Sequence, residues 1–235
     1  MAVKENGAIA LLVETPGLST IKPVLATSIG KENCQEFYQQ SLSVTTSTLQ
    51  YANQELLALG HPTVDIFWAP AEANPNVSTM WSEFPVLSQG DGDQGKKLHH
   101  IYSTLLSGYS FAMIGYADSP HIPPSVYTKI AAAFYQVSKS KDFIVGPGEF
   151  GGFFIFCGRK EIPLSIWSQV PYENQQALNF FINAISNLGS VSYIEMQPSV
   201  ETIKDINRLK SMFSQAPNLT PEQMELRSWL NRNLK

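Results

Sequence analysis

The sequence predicts an α/β protein with a mostly parallel central sheet. Short apolar runs, typical of buried strands, alternate along the chain with longer segments that have helical spacing. The first pair is the run 8–13 and the segment 31–59, in which Leu42, Leu49 and Leu56 recur every seven residues on one helical face. Such alternation indicates βαβ units, whose parallel sheet is covered by helices on both faces.

The remaining elements follow from the same patterns. Strands are predicted where apolar runs stand between turn residues, at 64–69, 111–115, 142–145, 153–157 and 191–195. Helices are predicted at 93–106, 125–137, 173–188, 201–213 and 221–234. Only a glycine-rich turn separates the strand at 142–145 from the strand at 153–157, and we expect the second to return antiparallel to the first.

Composition limits the classes of partner. The 235 residues carry a formal net charge of −4, and only 15% of them are charged. An acidic chain offers no basic surface to nucleic acid, and no apolar run reaches the ~18 residues of a membrane span. We therefore expect a cytoplasmic protein without a nucleic-acid or membrane partner. With no linker-like segment and no internal repeat, we expect one domain over residues 1–235.

A ligand site is expected at one edge of the sheet. In open α/β sheets, ligands bind outside the carboxyl ends of the parallel strands. In this chain those ends lead into the loops at 14–24, 70–92, 116–124, 146–151 and 197–202.

Two glycine-rich segments match nucleotide-binding motifs only superficially. The segment 146–151 fits G-x-G-x-x-G, but a strand follows it instead of the helix that would bind a pyrophosphate. The segment 90–97 is close to a P-loop, but Lys97 stands where a hydroxyl must bind Mg²⁺. Asp91 and Asp93 would also repel a triphosphate. We therefore interpret the first as a tight turn between strands and the second as a helix start.

The loops together carry a family resemblance. They read Thr15-Pro-Gly with Lys22 and Leu25, then Gly115-Tyr-Ala-Asp118-Ser-Pro120, Gly146-Pro-Gly-Glu149-Phe-Gly-Gly152, Val170-Pro-Tyr172 and Val200-Glu201-Thr202. This series resembles the nucleotide-diphospho-sugar transferase-like family, also described as selenodomain-associated or glycosyltransferase-like, over about residues 8–213. The resemblance implies a GT-A-like three-layer domain with an antiparallel return strand, followed here by a C-terminal helix at 221–234.

The resemblance also implies which residues bind phosphate. In the family a Pro-Gly pair is followed, after a spacer, by K-T-R-L, and the later G-S-D-C-P motif follows a strand. Pro16, Gly17, Lys22 and Gly115 match these patterns, and by resemblance they would bind the phosphates of a nucleotide. Residues 23–24 are Pro and Val in place of the threonine and arginine, so one bidentate phosphate contact is lost.

A divalent cation is implied in the same way. By resemblance, Asp118 and Glu201 would hold Mg²⁺ or Mn²⁺ against the nucleotide diphosphate. The family's G-P-A-D-D-G-G motif becomes the turn 146–152, where Glu149 and Phe150 replace the two aspartates. Glu149, Gly151, Gly152 and His121 are expected on the rim of the cleft.

These observations leave three hypotheses open. The first is a transferase that binds a nucleotide or nucleotide-sugar with a divalent cation and transfers a group to an acceptor. The second is a catalytically degenerate scaffold that binds or regulates, since the substitutions fall on acidic and cationic positions of the motifs. The third is an unrelated α/β enzyme with a metal-free site. No catalytic residue is assigned, and base, sugar, acceptor and oligomeric state stay open.

Overall fold

The computed structural model of the chain describes residues 4–72, 79–136 and 141–234. Within these residues, six strands form a sheet in the order β2-β1-β3-β5-β4-β6. They are β1 (Gly7–Val13), β2 (Val64–Pro70), β3 (Ala112–Tyr116), β4 (Phe143–Pro147), β5 (Phe153–Gly158) and β6 (Val191–Tyr193). The predicted α/β class is confirmed.

The strand β5 runs against its neighbours in the sheet. β1 pairs in parallel with β2 and β3, and β4 pairs in parallel with β6. β5 is antiparallel to both of its neighbours, β3 and β4, so the predicted return strand is confirmed. Because β5 is reversed, its first residue, Phe153, lies at the edge where β1 and β3 end.

Helices cover both faces of the sheet. They are α1 (Pro23–Ile29), α2 (Lys31–Ala58), α3 (Gln94–Gly108), α4 (Pro124–Tyr135), α5 (Leu164–Gln169), α6 (Ala177–Ile185), α7 (Ile203–Gln215) and α8 (Pro221–Asn233). Alternate residues of β1 enter two cores. Ile9 and Leu11 pack with α2, α4, α7 and α8, whereas Ala8 and Ala10 pack with α3, α5 and α6. This alternation is the side-chain period of a strand buried on both faces.

The longest helix follows its predicted face. Leu42, Leu49 and Leu56 of α2 are all buried in the first core. Burying each leucine contributes about 1.5–3 kcal/mol to stability, which keeps this helix on the sheet despite its three threonines. Gly30 separates α2 from α1, because its φ of 83° ends the first helix before the second begins.

The structure differs from the predictions at two short helices and at the ends of other elements. Two short helices, α1 and α5, are not predicted, because six or seven residues are too few to show helical periodicity. The helix predicted at 173–188 begins only at Ala177, since residues 171–176 form hydrogen-bonded turns. The strand predicted at 191–195 ends at Tyr193. The predicted end of the helix at residue 137 lies outside the described residues.

In the part of the chain that the structure describes, no helix is both long enough and apolar enough to cross a bilayer.

Candidate functional site

A cleft lies over the edge where β1 and β3 end. It encloses a cavity of about 620 Å³, a size typical of small-molecule sites. Each of the five predicted loops contributes to its lining, through Glu14, Thr20, Lys22, Pro23, Ala71, Gln89, Tyr116, Asp118, Ser119, Gly148, Phe150, Ser199 and Glu201. Of the loop at 70–92, residues 73–78 lie outside the described residues.

Lys22, Asp118 and Glu201 form a compact cluster inside the cleft. The Lys22 ammonium lies 2.6 Å from Asp118 Oδ2 and 2.9 Å from Glu201 Oε1. The Lys22 side chain is only 5% exposed, whereas Asp118 and Glu201 are 27% and 42% exposed. Three distant parts of the chain thus meet, because the loops after β1 and β3 and the start of α7 share one edge of the sheet.

The backbone holds Lys22 in an unusual conformation. Its φ of 38° and ψ of 66° are left-handed, and no other non-glycine residue in the described ranges has a positive φ. Pro23, the first residue of α1, disfavours the right-handed helical region at Lys22, the residue before it. The carbonyl of Lys22 accepts a hydrogen bond from Ala26 N at 2.9 Å. Such strain costs about 1–3 kcal/mol and is concentrated at functional sites.

The cleft is rich in carboxylates. Among the described residues that line it, Lys22 alone carries a positive charge, beside Glu14, Asp118, Glu173 and Glu201. Burial would lower the pKa of Lys22, but the two carboxylates more than offset this and raise it. Burial, and then the charge of Asp118, raises the pKa of Glu14. An added anion would meet net repulsion unless a cation accompanied it.

The loop after β1 is fastened by a carboxylate that sequence reasoning missed. Glu72 accepts hydrogen bonds from Thr15 N at 2.8 Å, Thr15 Oγ1 at 2.7 Å and Ser19 Oγ at 2.6 Å. Trp81 Nε1 donates to Thr15 Oγ1 at 3.0 Å from the other side. Pro16 and Gly17 lie in the turn closed by these contacts, where the positive φ of Gly17 (92°) suits glycine.

The glycine-rich turn between β4 and β5 faces the cleft with only some of its residues. Gly148, Phe150 and Gly152 belong to the lining. The Glu149 carboxylate instead receives a bidentate contact from Arg208, at 2.7 and 2.8 Å. Arg208 also contacts Asp205 at 2.9 Å, and Asp205 caps α7. Glu149 therefore ties the turn to α7.

Gly151 shapes this turn. It has a φ of 83°, and a Cβ placed there would come within 1.9 Å of the carbonyl oxygen of Gln175. Its own carbonyl accepts a hydrogen bond from Leu178 N at 2.9 Å. Only glycine fits this close approach to the segment that precedes α6.

Two other predicted residues lie deeper than the cleft surface. Gly115 is a buried residue of β3, paired with Leu11 on one side and Ile155 on the other. His121 is 9% exposed, so its ring is almost fully buried. Burial lowers the pKa of His121 to about 4. The phosphate and rim roles of these residues stay predictions.

Aromatic side chains line the part of the cleft formed by β5 and the segment before α6. Tyr116, Phe150, Phe153 and Tyr172 belong to this surface, which we call the aromatic wall. The wall was not predicted, because apolar residues near strand ends are usually part of the core.

Two carboxylates of the cluster are candidate ligands for the implied cation. Asp118 and Glu201 offer hard oxygen donors, both within 3 Å of one nitrogen and so close enough to share a cation. That nitrogen is the ammonium of Lys22. No group of three or more His, Cys, Asp or Glu able to hold a metal occurs in the described residues. The pair therefore fits a cation that brings further ligands, such as phosphate oxygens, and does not form a complete metal centre alone.

Residues 48–174, more than half of the chain, match the family described as "Uncharacterized protein conserved in bacteria (DUF2064)". The chain belongs to this family. The matched region contains Asp118 and the glycine-rich turn, whereas Lys22 and Glu201 lie on either side of it. No curated protein matches the sequence.

Solved structures show the fold of this DUF2064 member. A candidate nucleotide-diphospho-sugar transferase from Desulfovibrio desulfuricans has a TM-score of 0.75 at 16% identity, with 97% of this chain and 98% of that chain covered. A cytidylyltransferase from Leptospira borgpetersenii has a TM-score of 0.52 at 11% identity, covering 98% and 95%. The 4-diphosphocytidyl-2C-methyl-D-erythritol synthase from Anaerococcus prevotii has a TM-score of 0.53 at 8% identity, covering 96% and 97%. The resemblance to nucleotide-diphospho-sugar transferase-like proteins is confirmed, and at these identities it establishes the fold alone.

Proposed function

We propose that this protein binds a nucleotide or nucleotide-sugar in the cleft, through its diphosphate and together with a divalent cation, as a nucleotide-sugar or nucleotidyl transferase. The observation that carries the proposal is the meeting of Lys22, Asp118 and Glu201 at the carboxyl edge of β1 and β3. A buried ammonium beside two partly exposed carboxylates can serve a phosphate and a cation at adjacent positions.

The charge of the cleft supports the cation. A diphosphate would enter a cavity lined by four carboxylates and one lysine, and a cation would reduce the resulting repulsion. Asp118 and Glu201 would hold Mg²⁺ or Mn²⁺, and the cation would neutralise charge on the diphosphate. Lys22 would then pair with phosphate oxygens, since its present partners would be bound to the cation. Pro16 and Gly17, in the loop after β1, and Gly115, near the end of β3, would lie near the phosphates.

A second function is favoured by a separate observation. Lys22 already neutralises Asp118 and Glu201, and Arg208 engages Glu149, so these carboxylates have internal partners. A catalytically degenerate scaffold that binds a ligand for regulation would keep this arrangement. Such a protein would bind a nucleotide without a metal, which separates the two functions experimentally.

Isothermal titration with UDP, CDP and GDP tests both functions. Each nucleotide is titrated into the wild-type protein, Asp118→Asn and Asp91→Asn, with Mn²⁺ and with EDTA. Asp91 is the matched control, because it is exposed and lies outside the cleft lining. We expect Mn²⁺ to tighten binding of at least one nucleotide by about 10-fold or more in the wild type and in Asp91→Asn, but not in Asp118→Asn.

The other outcomes are equally informative. Equal binding in Mn²⁺ and EDTA would favour the metal-independent regulatory function. Binding of none of the three nucleotides would contradict both functions.

A further inference from the structure

The aromatic wall presents its rings to the cavity. Phe150 is 57% exposed and Tyr116 is 37% exposed, and both line the cleft. The rings of Tyr116 and Phe153 lie 6.3 Å apart between centroids, inclined by 49°. The hydroxyl of Tyr172 donates a hydrogen bond to the carbonyl of Trp167 at 3.1 Å. The wall thus offers ring surface with few polar groups.

The exposed ring of Phe150 is carried by a braced turn. Gly148 N donates to the carbonyl of Gly152 at 2.9 Å, and Leu178 N donates to the carbonyl of Gly151 at 2.9 Å. Because Gly151 touches the backbone at Gln175, the turn is packed against the segment that precedes α6. A large apolar side chain held over a cavity by a braced turn is typical of a preformed binding surface.

Charge divides the cleft into two parts. Lys22 carries the positive charge among the described residues that line the cleft, and it lies in the cluster with Asp118 and Glu201. The wall has no cation, and Glu173 at its side would repel an anion. A phosphate therefore suits the lysine cluster, whereas an uncharged apolar group suits the wall. Tyr116 is two residues from Asp118, so one ligand complex can contact both parts.

We propose that the aromatic wall is an acceptor subsite, which binds an uncharged aromatic or aliphatic group of the second substrate. The proposal rests on the proposed transferase function and adds the chemical class of its acceptor. When such a group contacts the wall, apolar surface of the group and apolar surface of the four aromatic rings would both be removed from water. A nucleobase could also stack on such rings, and the experiment treats this as a competing outcome.

The test uses 2-naphthol, an uncharged aromatic alcohol whose fluorescence reports binding. Its dissociation constant is measured for the wild-type protein, Phe150→Ala and Phe180→Ala. Phe180 is the matched control, because it is 55% exposed but is not part of the cleft lining. We expect Phe150→Ala to weaken 2-naphthol binding about 10-fold, and Phe180→Ala to change it by less than about twofold. Benzyl alcohol should displace the probe, whereas glycerol should not.

The same variants are titrated with UDP, CDP and GDP in the presence of Mn²⁺. We expect Phe150→Ala to bind them as the wild type does. Loss of nucleotide binding in Phe150→Ala would show that the wall holds the base and would overturn the proposal. Failure of the wild type to bind 2-naphthol, or equal losses in the two variants, would also overturn it. If no nucleotide binds to the wild type, the proposed function fails, whatever the result with 2-naphthol.

Discussion

The ammonium of Lys22 lies 2.6 Å from the carboxylate of Asp118, and this contact joins the loop after β1 to the loop after β3. Lys22 is almost fully buried and also contacts Glu201. It therefore occupies the position between two carboxylates that the proposed divalent cation would take. If the proposal is right, Lys22 competes with that cation and is also a candidate phosphate ligand.

Replacement of Lys22 tests this competition. In Lys22→Met the two carboxylates lose their ammonium partner, so we expect the free energy of unfolding at pH 7 to fall by about 1–3 kcal/mol. We expect Mn²⁺ alone to raise the melting temperature of Lys22→Met by several degrees and that of the wild type by much less. Thermal melting with and without Mn²⁺ measures both effects. Lys31→Met, at an exposed position, serves as the control and should behave as the wild type. An equal response to Mn²⁺ in all three proteins would show that Asp118 and Glu201 do not form a cation site.

Glu72 should be important for the order of the first loop. Glu72→Ala removes the acceptor of three hydrogen bonds from Thr15 and Ser19, so we expect a loss of about 2–3 kcal/mol in the free energy of unfolding. Urea unfolding measures the loss. Amide exchange at Leu18 and Ser19 should become faster, because their N–H groups bond within this loop. Glu225→Ala, an exposed helical position, should change stability by less than about 0.5 kcal/mol. Unchanged exchange in Glu72→Ala would mean that other contacts order the loop.

Two adjacent glycines should respond differently to the same substitution. Gly151→Ala introduces a Cβ 1.9 Å from the carbonyl oxygen of Gln175 at a residue with positive φ. We expect it to cost about 2–4 kcal/mol in chemical unfolding. At Gly152 an added Cβ meets no atom within 4 Å, so Gly152→Ala should cost less than about 1 kcal/mol. Similar losses in the two variants would show that the turn is not packed as described.

His121 should make stability depend on pH. Burial lowers its pKa from 6.5 to about 4, so the unfolded chain binds a proton between these values while the folded chain does not. The free energy of unfolding therefore falls as the pH drops below 6.5, and the loss is complete near pH 4. Between pH 7 and pH 5 we expect His121 to contribute a loss of about 2 kcal/mol. The contribution is the difference between the wild type and His121→Gln in urea unfolding at the two pH values. Parallel losses in the two proteins would show that His121 titrates normally in the folded state.

Much of the fold could be predicted because it depends on local patterns. The apolar run at 8–13 is long enough for one buried strand, and the leucines of α2 repeat with the period of a helix. The short turn before β5 correctly indicated an antiparallel return. The helices α1 and α5 could not be predicted in this way. Each is short, and its position depends on packing against other elements more than on its own sequence.

The site was predictable only as a set of loops at one edge of the sheet. Motif resemblance singled out Lys22, Asp118 and Glu201, which the structure places in contact, and their roles in binding stay predictions. The resemblance gave no indication that Arg208 engages Glu149, because this ion pair forms between a turn and a helix about sixty residues later. It also gave no indication of Glu72, an isolated acid in a loop without a motif.

The sequence by itself determined the order of strands and helices, the reversal at the glycine-rich turn and the set of loops that reach the carboxyl edge. Those features depend on side-chain periodicity and turn residues, which act over a few neighbours along the chain. Only the tertiary structure decided that an ammonium separates Asp118 from Glu201, that Glu149 is tied to α7 and that four aromatic residues form a wall of the cleft. These features depend on distances between side chains from separate elements, and such distances are set by strand order and helix packing across the whole sheet.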